Sequence, residues 1–482
     1  MATYKDVVII GNGPSAISLS YLLAGNMPYY SASGHPVDFL HYRLEGLQKV
    51  PIVDLDLQWL SEGLEGRSNN PVSLLFDALN HPDADLGVEQ PSVLSWHHQH
   101  SRQIDHVVLG KGPPGGAWQK MEGGTLTISL GSWMELPNLP FRDWNSIQHR
   151  ERNCLPGIRQ NRVNVESVAH YYRDYVDIMG LRKFFVNQTT VTSVHLVGTD
   201  CEGEKLNPRI CQLYPLWKVQ AQSVEQCQDT GEVKTADLSF VTPHVVLATG
   251  NSDQPNTIDV PGENQPFVLH FLSDLERLLL RGQLTPESGT VLIIGAGLSA
   301  ADAIIAARFH GISIAHVFRR DVDDPELIFN KLPQNMYPEY HKVNQMMADH
   351  SKSYRGYKPY PAHKITSILP NHEVVLESIK SGNKCVVHAA YVLVLVGMHP
   401  DLSFMPDSGK SIGVLTDEPV NCRTNHIEIH PYTHETVSYP GIFAMGPLVG
   451  DNFVRFVQGG ALAITSYLHR KKKKKALFPL SS

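Results

Sequence analysis

Two short runs of this chain place glycines and small residues where a diphosphate could be gripped. The first is Gly11-Asn12-Gly13-Pro14-Ser15-Ala16, directly after the apolar run Val7–Ile10. The second is Gly295-Ala296-Gly297-Leu298-Ser299-Ala300, after Val291–Ile294. A continuous apolar run reads as a strand buried on both faces. In a strand–turn–helix unit of this kind the first glycine makes the tight turn. The second lets the backbone approach a pyrophosphate, and the closing alanine, Ala16 or Ala300, permits close helix–strand contact. The helix after the turn offers free N–H groups and a positive dipole end to the phosphates. Either run taken alone is also readable as an ordinary glycine turn.

The two runs lead into different sequence. After the second come a helix over Ala301–Phe309 and a strand over Ile312–Phe318, ending in Arg319-Arg320. That places the arginines a little over ~20 residues beyond Gly295, where such units read the ribose. Two guanidinium groups suit a 2′-phosphate, and no acid stands there for a free 2′-hydroxyl. The spacing therefore predicts NADPH rather than NADH, the alternative being two exposed arginines at a strand end. After the first run the expected acid is missing. Tyr29–Phe39 does not read as a second strand. His106–Leu109 reads better, and it ends in Gly110-Lys111. Residues 27–103 thus read as an insertion. Within it Asn70 is an expected N-cap, Pro71 a first helical residue and Val72–Leu79 an amphipathic helix. The segment Trp96-His97-His98-Gln99-His100 reads as a solvated loop. Its histidines do not share a face, so no metal site is expected.

Other small-residue segments punctuate the chain. Gly115-Gly116-Ala117-Trp118 keeps backbone near a ligand, and Trp118 is either a cover for a flavin or adenine ring or a core tryptophan. Val165–Leu181 reads as a helix, Val191–Val194 as a strand and Cys201–Val233 as a polar, irregular hairpin. His244–Gly250 reads as a strand ending in Ala248-Thr249-Gly250, where small residues suit a chain passing close to cofactor. His372–Glu377 and Lys384–His388 read as a hairpin, and Tyr391–Val396 as a strand. Gly441–Asp451 reads as a strand, a glycine loop containing Gly446, and an N-cap acid, Asp451. The helix Asn452–Leu468 would then aim its N-terminus at negative charge on a reduced ring.

The 482 residues exceed one ordinary core and fit two or three packed units. A net charge of −7 argues against wholesale nucleic-acid binding. The six cysteines are scattered without a CxxC pair, which fits a reduced compartment and no structural zinc. No stretch reaches the ~20 apolar residues of a membrane span. The start of the chain runs into Val7–Ile10 without room for a leader, so a cytoplasmic location is expected. Arg470–Lys475 reads as a solvated tail after the last helix, or as a nuclear signal or anionic-lipid contact.

The order GNGPSA, GGAW, ATG, GAGLSA and VFRR resembles the flavin-containing monooxygenase superfamily. More narrowly, Leu60–Ser68, Met336–Val343, His399–Phe404 and Gly446–Ala463 are similar to strings of the oxidative stress-induced growth inhibitor family. The resemblance implies FAD at Gly11, Gly13, Pro14, Ser15, Ala16, Gly115, Gly116, Trp118, Thr249, Gly250, Gly446 and Asp451. It implies NADPH at Gly295, Gly297, Leu298, Ser299, Ala300 and Arg319 or Arg320. Of the bridging FxGxxxH signature only Phe267 and His270 give a hint, without its glycine or its spacing. The expected fold is α/β, with two dinucleotide-binding Rossmann-like domains and the NADPH domain inserted in the FAD domain. Its expected boundaries are 1–288, 289–388 and 389–482. The implied function is an NADPH-using flavoprotein monooxygenase with molecular oxygen as co-substrate, an unidentified small-molecule substrate and a role in growth and differentiation. No side chain is named as catalytic. Gln119–Pro137 lacks the asparagine that the monooxygenases carry there. An uncoupled NADPH oxidase therefore stays open, as does a degenerate flavoprotein acting as a redox-sensing regulatory partner.

Overall fold

Val7–Ile10 and Thr290–Ile294 form strands whose apolar residues are buried, because each lies inside an all-parallel sheet with neighbours on both sides. The computed structural model describes residues 2–32, 34–121, 125–152, 162–197, 215–226, 233–349 and 353–477. The chain divides into two compact units, Met1–Asp253 with Pro400–Ser482, and Gln254–His399.

The first unit is built on a five-stranded parallel sheet. Its order is Ile442–Ala444, Val245–Leu247, Val7–Ile10, His106–Leu109, Phe185–Val186. The first fingerprint strand is central, flanked by His106–Leu109 as the sequence predicts. A second sheet carries Thr3–Tyr4, Val233–Thr242, Trp217–Gln226 and Thr189–Leu196. This corrects the irregular hairpin expected over 201–233. Trp217–Gln226 is a ten-residue strand, paired antiparallel to Val233–Thr242 from end to end. The rest of that expected hairpin, with Cys201, Cys211 and Cys227, lies outside the described residues, as does Cys154.

The insertion is part of the core. Leu75, Phe76 and Leu79 of the helix Pro71–Asn80 are at most 1% exposed. They share one apolar cluster with Leu19, Leu22 and Leu23 of the first fingerprint helix and with Ala461–Ile464 of the closing helix Val454–Leu477. Each such side chain contributes about 2 kcal/mol by leaving water. As expected, no second parallel strand lies over Tyr29–Phe39: Asn26–Tyr30 is a strand, but it pairs antiparallel with Leu94–His98 and stays out of the parallel sheet. The expected histidine loop is therefore mostly strand, with Trp96 edge-on to Tyr21 at 5.3 Å.

The second unit repeats the plan. Its parallel sheet runs Val268–Leu269, Tyr391–Val394, Thr290–Ile294, Ser313–Phe318, Tyr357–Pro361. The expected hairpin is present as Glu373–Ser378 with Lys384–His388, completed by His363–Ile368 into a three-stranded sheet. The unit begins at Gln254 and not at 289, and ends at His399 and not at 388. Gln254–Pro255 pairs with Met398–His399, and Val268–Leu269 is an edge strand of this sheet.

Among the described residues no helix is long and apolar enough to cross a membrane. The basic run is not a free tail. The closing helix continues through it to Leu477, Arg470 donates to the Leu55 carbonyl, and Lys473 pairs with Asp54 at 2.9 Å.

Candidate functional site

Both glycine fingerprints are built to one specification. Gly11 has φ +106°, and a Cβ there would lie 2.3 Å from the Ala248 carbonyl oxygen. Gly295 has φ +125°, and a Cβ there would lie 2.2 Å from the Leu395 oxygen. In each sheet this oxygen belongs to the residue directly after the neighbouring strand. Glycine is required for its left-handed backbone and for the close approach. The later glycines behave oppositely. A Cβ at Gly13 or Gly297 would meet nothing within 4 Å. Each is the N-cap of its helix and contributes no side-chain cap. Each turn therefore faces open space with uncapped helical N–H groups behind it, the geometry of an anion cradle. Pro14 stands in the first turn of the first helix, where its missing N–H costs nothing. Leu298 and Ser299 open the second helix, and Ala16 and Ala300 are buried against their sheets.

Further segments gather at the first turn. Gly115 N–H donates to the Asn12 carbonyl at 2.9 Å, and a Cβ at Gly116 would lie 3.0 Å from Gly13 Cα. Asn12 is itself buried and donates to the Gly112 carbonyl at 2.7 Å. A Cβ at Gly446 would lie 2.4 Å from Ser15 Oγ, so the closing loop also reaches this helix start. Thr249 and Gly250 come directly after Ala248 at the end of the adjacent strand. The Thr249 hydroxyl is buried with no hydrogen-bond partner among the described residues. Trp118 is half-buried and edge-on to Tyr172 at 6.0 Å. It belongs to an aromatic cluster in which Tyr171, Tyr172 and Tyr175 donate to the carbonyls of Leu139, Met134 and Pro137.

Asp451 departs from its expected place. It does not cap a helix, since the closing helix starts at Val454. It is 1% exposed, and its carboxylate accepts from Ser68 Oγ and Ser73 Oγ of the insertion. Burial pushes its pKa up to about 6. Asn70, the expected N-cap, makes no side-chain cap and instead donates to the Val449 carbonyl at 3.1 Å. Nearby Arg455, also 1% exposed, pairs with Asp77 and Asp85 and lies over the Trp133 ring. Burial pushes Asp77 up to about 7, against the pull of Arg455.

One titratable group carries no sequence signal. Glu135 is pushed up to about 8, mainly by burial, so it holds a proton at pH 7. It accepts from the Phe141 N–H, and its carbonyl accepts from Gln458 of the closing helix. No motif marks it, because its environment comes in part from a segment more than 300 residues away in sequence.

In the second unit Arg319 and Arg320 are exposed where Ser313–Phe318 ends. Arg320 pairs with Asp324 at 3.2 Å, whereas Arg319 has no ion-pair partner among the described residues. Phe267 stacks on His372, and His270 pairs with Glu263 at 3.1 Å. A cavity of about 760 Å³ lined by Phe267, His372, His388 and Tyr391 contains none of the fingerprint residues. No metal-binding group of three or more ligands occurs among the described residues.

Comparison with known proteins decides the family. The chain is 45% identical to human (Homo sapiens) oxidative stress-induced growth inhibitor 2, over 98% of its own length and 94% of that protein's. It is 46% identical to mouse (Mus musculus) oxidative stress-induced growth inhibitor 1, over 97% and 96%. The chain belongs to the oxidative stress-induced growth inhibitor family. Residues 216–446 also match the family described as pyridine nucleotide-disulphide oxidoreductase. Among solved structures the fold is similar to bacillithiol disulfide reductase Bdr from Staphylococcus aureus. The TM-score is 0.57 at 15% identity, covering 98% of this chain and 99% of that one. It is also similar to L-lysine 6-monooxygenase from Pseudomonas syringae, with TM-score 0.55 at 14% identity, covering 97% and 99%. This family member thus has the α/β fold of flavoproteins with two dinucleotide-binding domains, and its class is flavoprotein oxidoreductase.

Proposed function

We propose that this growth-inhibitor family member is an FAD-dependent, NADPH-using oxidoreductase of the monooxygenase type. The observation that carries the reading is the matched pair of turns. In each, one glycine is pressed against a neighbouring strand and the next faces open space at an uncapped helix start.

The residues of the first unit suit FAD. Ser15 and Ala16 would hold its pyrophosphate through backbone N–H groups, Gly13 would let it approach, and Gly11 and Pro14 shape the turn. Gly115 and Gly116 wall the same turn, and Trp118 stands beside it. The unpartnered Thr249 hydroxyl and the small Gly250 fit a ligand passing the strand end. Gly446 brings the closing loop to the same helix start. Asp451 is held in the closing loop by Ser68 on one oxygen and Ser73 on the other. The residues of the second unit suit NADPH, with Gly295, Gly297, Leu298, Ser299 and Ala300 at the pyrophosphate. Arg319 is the guanidinium available to the 2′-phosphate, and Arg320, tied to Asp324, adds to the local field.

When bound, the flavin supplies two-electron chemistry linking NADPH to molecular oxygen, which no amino-acid side chain supplies. The chain binds and orients, and its buried aromatic cluster excludes water beside the first turn.

A spectrum of the purified protein, before and after anaerobic NADPH, is the first test. We expect an oxidised flavin band that NADPH bleaches much faster than NADH. A protein that carries no flavin and takes none up from added FAD would refute the enzyme reading. Readmitted air then separates outcomes, since stoichiometric peroxide without product marks an oxidase rather than a monooxygenase.

A further inference from the structure

The second fingerprint turn is gripped by a side chain that the first turn lacks. His316 lies on the strand Ser313–Phe318 and is fully buried. Its Nε2 is 2.6 Å from the carbonyl oxygen of Gly295, the first glycine of the turn. Its Nδ1 is 2.8 Å from the hydroxyl of Tyr357 on the next strand. A carbonyl oxygen only accepts, so Nε2 carries the proton and donates. Nδ1 then accepts from the Tyr357 hydroxyl, which fixes the tautomer. Burial depresses the imidazole pKa to about 4, so the ring is neutral at physiological pH.

Both backbone groups of Gly295 are thereby held by one strand. Its N–H donates to the Val317 carbonyl at 3.0 Å, and its carbonyl accepts from His316. The first fingerprint shares half of this. Gly11 N–H donates to the Leu109 carbonyl at 2.8 Å. In sheet register Val317 pairs with Ile294 as Leu109 pairs with Ile10, so Val108 is the counterpart of His316. Valine has no donor. The first turn is braced differently, by Gly115 N–H on the Asn12 carbonyl and by Gly116 packed on Gly13.

We infer that His316, oriented by Tyr357, is a positioning residue that keeps the second turn in its nucleotide-binding shape while no nucleotide is bound. The inference rests on the reading of that turn as the NADPH site. It has a functional logic. A reductant nucleotide leaves after each turnover, so its turn must hold shape when empty. A flavin that stays bound helps to hold its own turn.

The test uses the full-length, FAD-loaded protein. Stopped-flow reduction gives the NADPH dissociation constant and the limiting rate for H316F, H316Q, Y357F and G297A. A glutamine amide can donate where Nε2 does. In H316F the Gly295 carbonyl loses its buried donor, and we expect a dissociation constant about tenfold higher with a limiting rate within about twofold. H316Q should return to within about threefold of wild type, and Y357F should lie between. Backbone amide exchange across residues 295–300 should quicken in H316F without nucleotide and match wild type at saturating NADPH. Unchanged NADPH affinity in H316F, with G297A still abolishing binding, would overturn the inference alone. So would an H316Q protein as weak as H316F while retaining wild-type thermal stability. If G297A binds NADPH normally, the nucleotide reading of this turn has failed and the inference falls with it.

Discussion

Ser73 Oγ donates to Asp451 Oδ2 at 2.7 Å, joining the insertion to the closing loop across 378 positions of chain. Ser68 binds the other carboxylate oxygen, and Asn70 holds the Val449 carbonyl in the same loop. A Cβ at Gly459 would lie 2.2 Å from Ser73 Cα, so the closing helix packs directly on this tether. Because Gly446 of that loop touches Ser15, the insertion braces one wall of the first cradle. Ser73→Ala removes one buried hydrogen bond and should cost about 1–3 kcal/mol. Urea unfolding would measure this. Flavin retained after gel filtration should fall in parallel, and full retention in a Ser68→Ala, Ser73→Ala double variant would exclude the bracing role.

How much of this is legible in the sequence depends on how local its cause is. Val7–Ile10 and Val291–Ile294 announce themselves, since four consecutive apolar residues beside a glycine turn have few other uses. Arg319 is marked by its spacing from Gly295. Asp451 is not marked. A carboxyl before a helix looks like a cap, and only the tertiary fold reveals that Ser68 and Ser73 reach it first. Asn26–Tyr30 is hidden because its partner, Leu94–His98, is polar and rich in histidine. The run Arg470–Lys475 looks like a tail because charge suggests solvation. Lysine and arginine are also good helix formers, and Asp54 waits beside them.

Asp451 also gives a pH dependence of definite sign. Its folded pKa of about 6 exceeds the ordinary value of 3.8. Between those values the folded state binds more protons than the unfolded one. Its contribution therefore favours folding below pH 4 and is lost as pH rises through 6, on the order of 3 kcal/mol. The buried neutral His106, His316 and His434, each depressed from 6.5 to about 4, act in the opposite sense as pH falls below 6.5. The difference between wild type and Asp451→Asn isolates the first effect. The variant should gain most relative to wild type at pH 8, and only about a third as much at pH 4.5. A difference that does not vary with pH would remove the argument.

Gly11 and Gly13 should separate folding from binding. Gly11→Ala forces a methyl group against the Ala248 carbonyl at positive φ, so its melting temperature should drop with or without added FAD. Gly13 has φ −76° and open space where a Cβ would stand. Gly13→Ala should therefore melt like flavin-free wild type and yet fail to take up FAD. Thermal melts of both variants, each with and without FAD, provide the comparison. If Gly13→Ala holds a full complement of flavin, the pyrophosphate is not at this turn.

The two arginines at the end of Ser313–Phe318 should not be equivalent. Arg320 is committed to Asp324, while Arg319 has no ion-pair partner among the described residues. A guanidinium freed from internal pairing can meet a 2′-phosphate without first giving up a carboxylate. One charge-assisted contact of this kind is worth about 1.5–3 kcal/mol, or roughly tenfold to a hundredfold in affinity. Arg319→Ala should therefore lose most of the preference for NADPH over NADH, with little change in the NADH reaction. Arg320→Ala should lose less, because Asp324 already offsets its charge. Reduction rates of the bound flavin at limiting NADPH and NADH give both ratios. If Arg319→Ala keeps the wild-type preference and Arg320→Ala abolishes it, the Asp324 pair opens when nucleotide binds, and Arg320 is the phosphate reader.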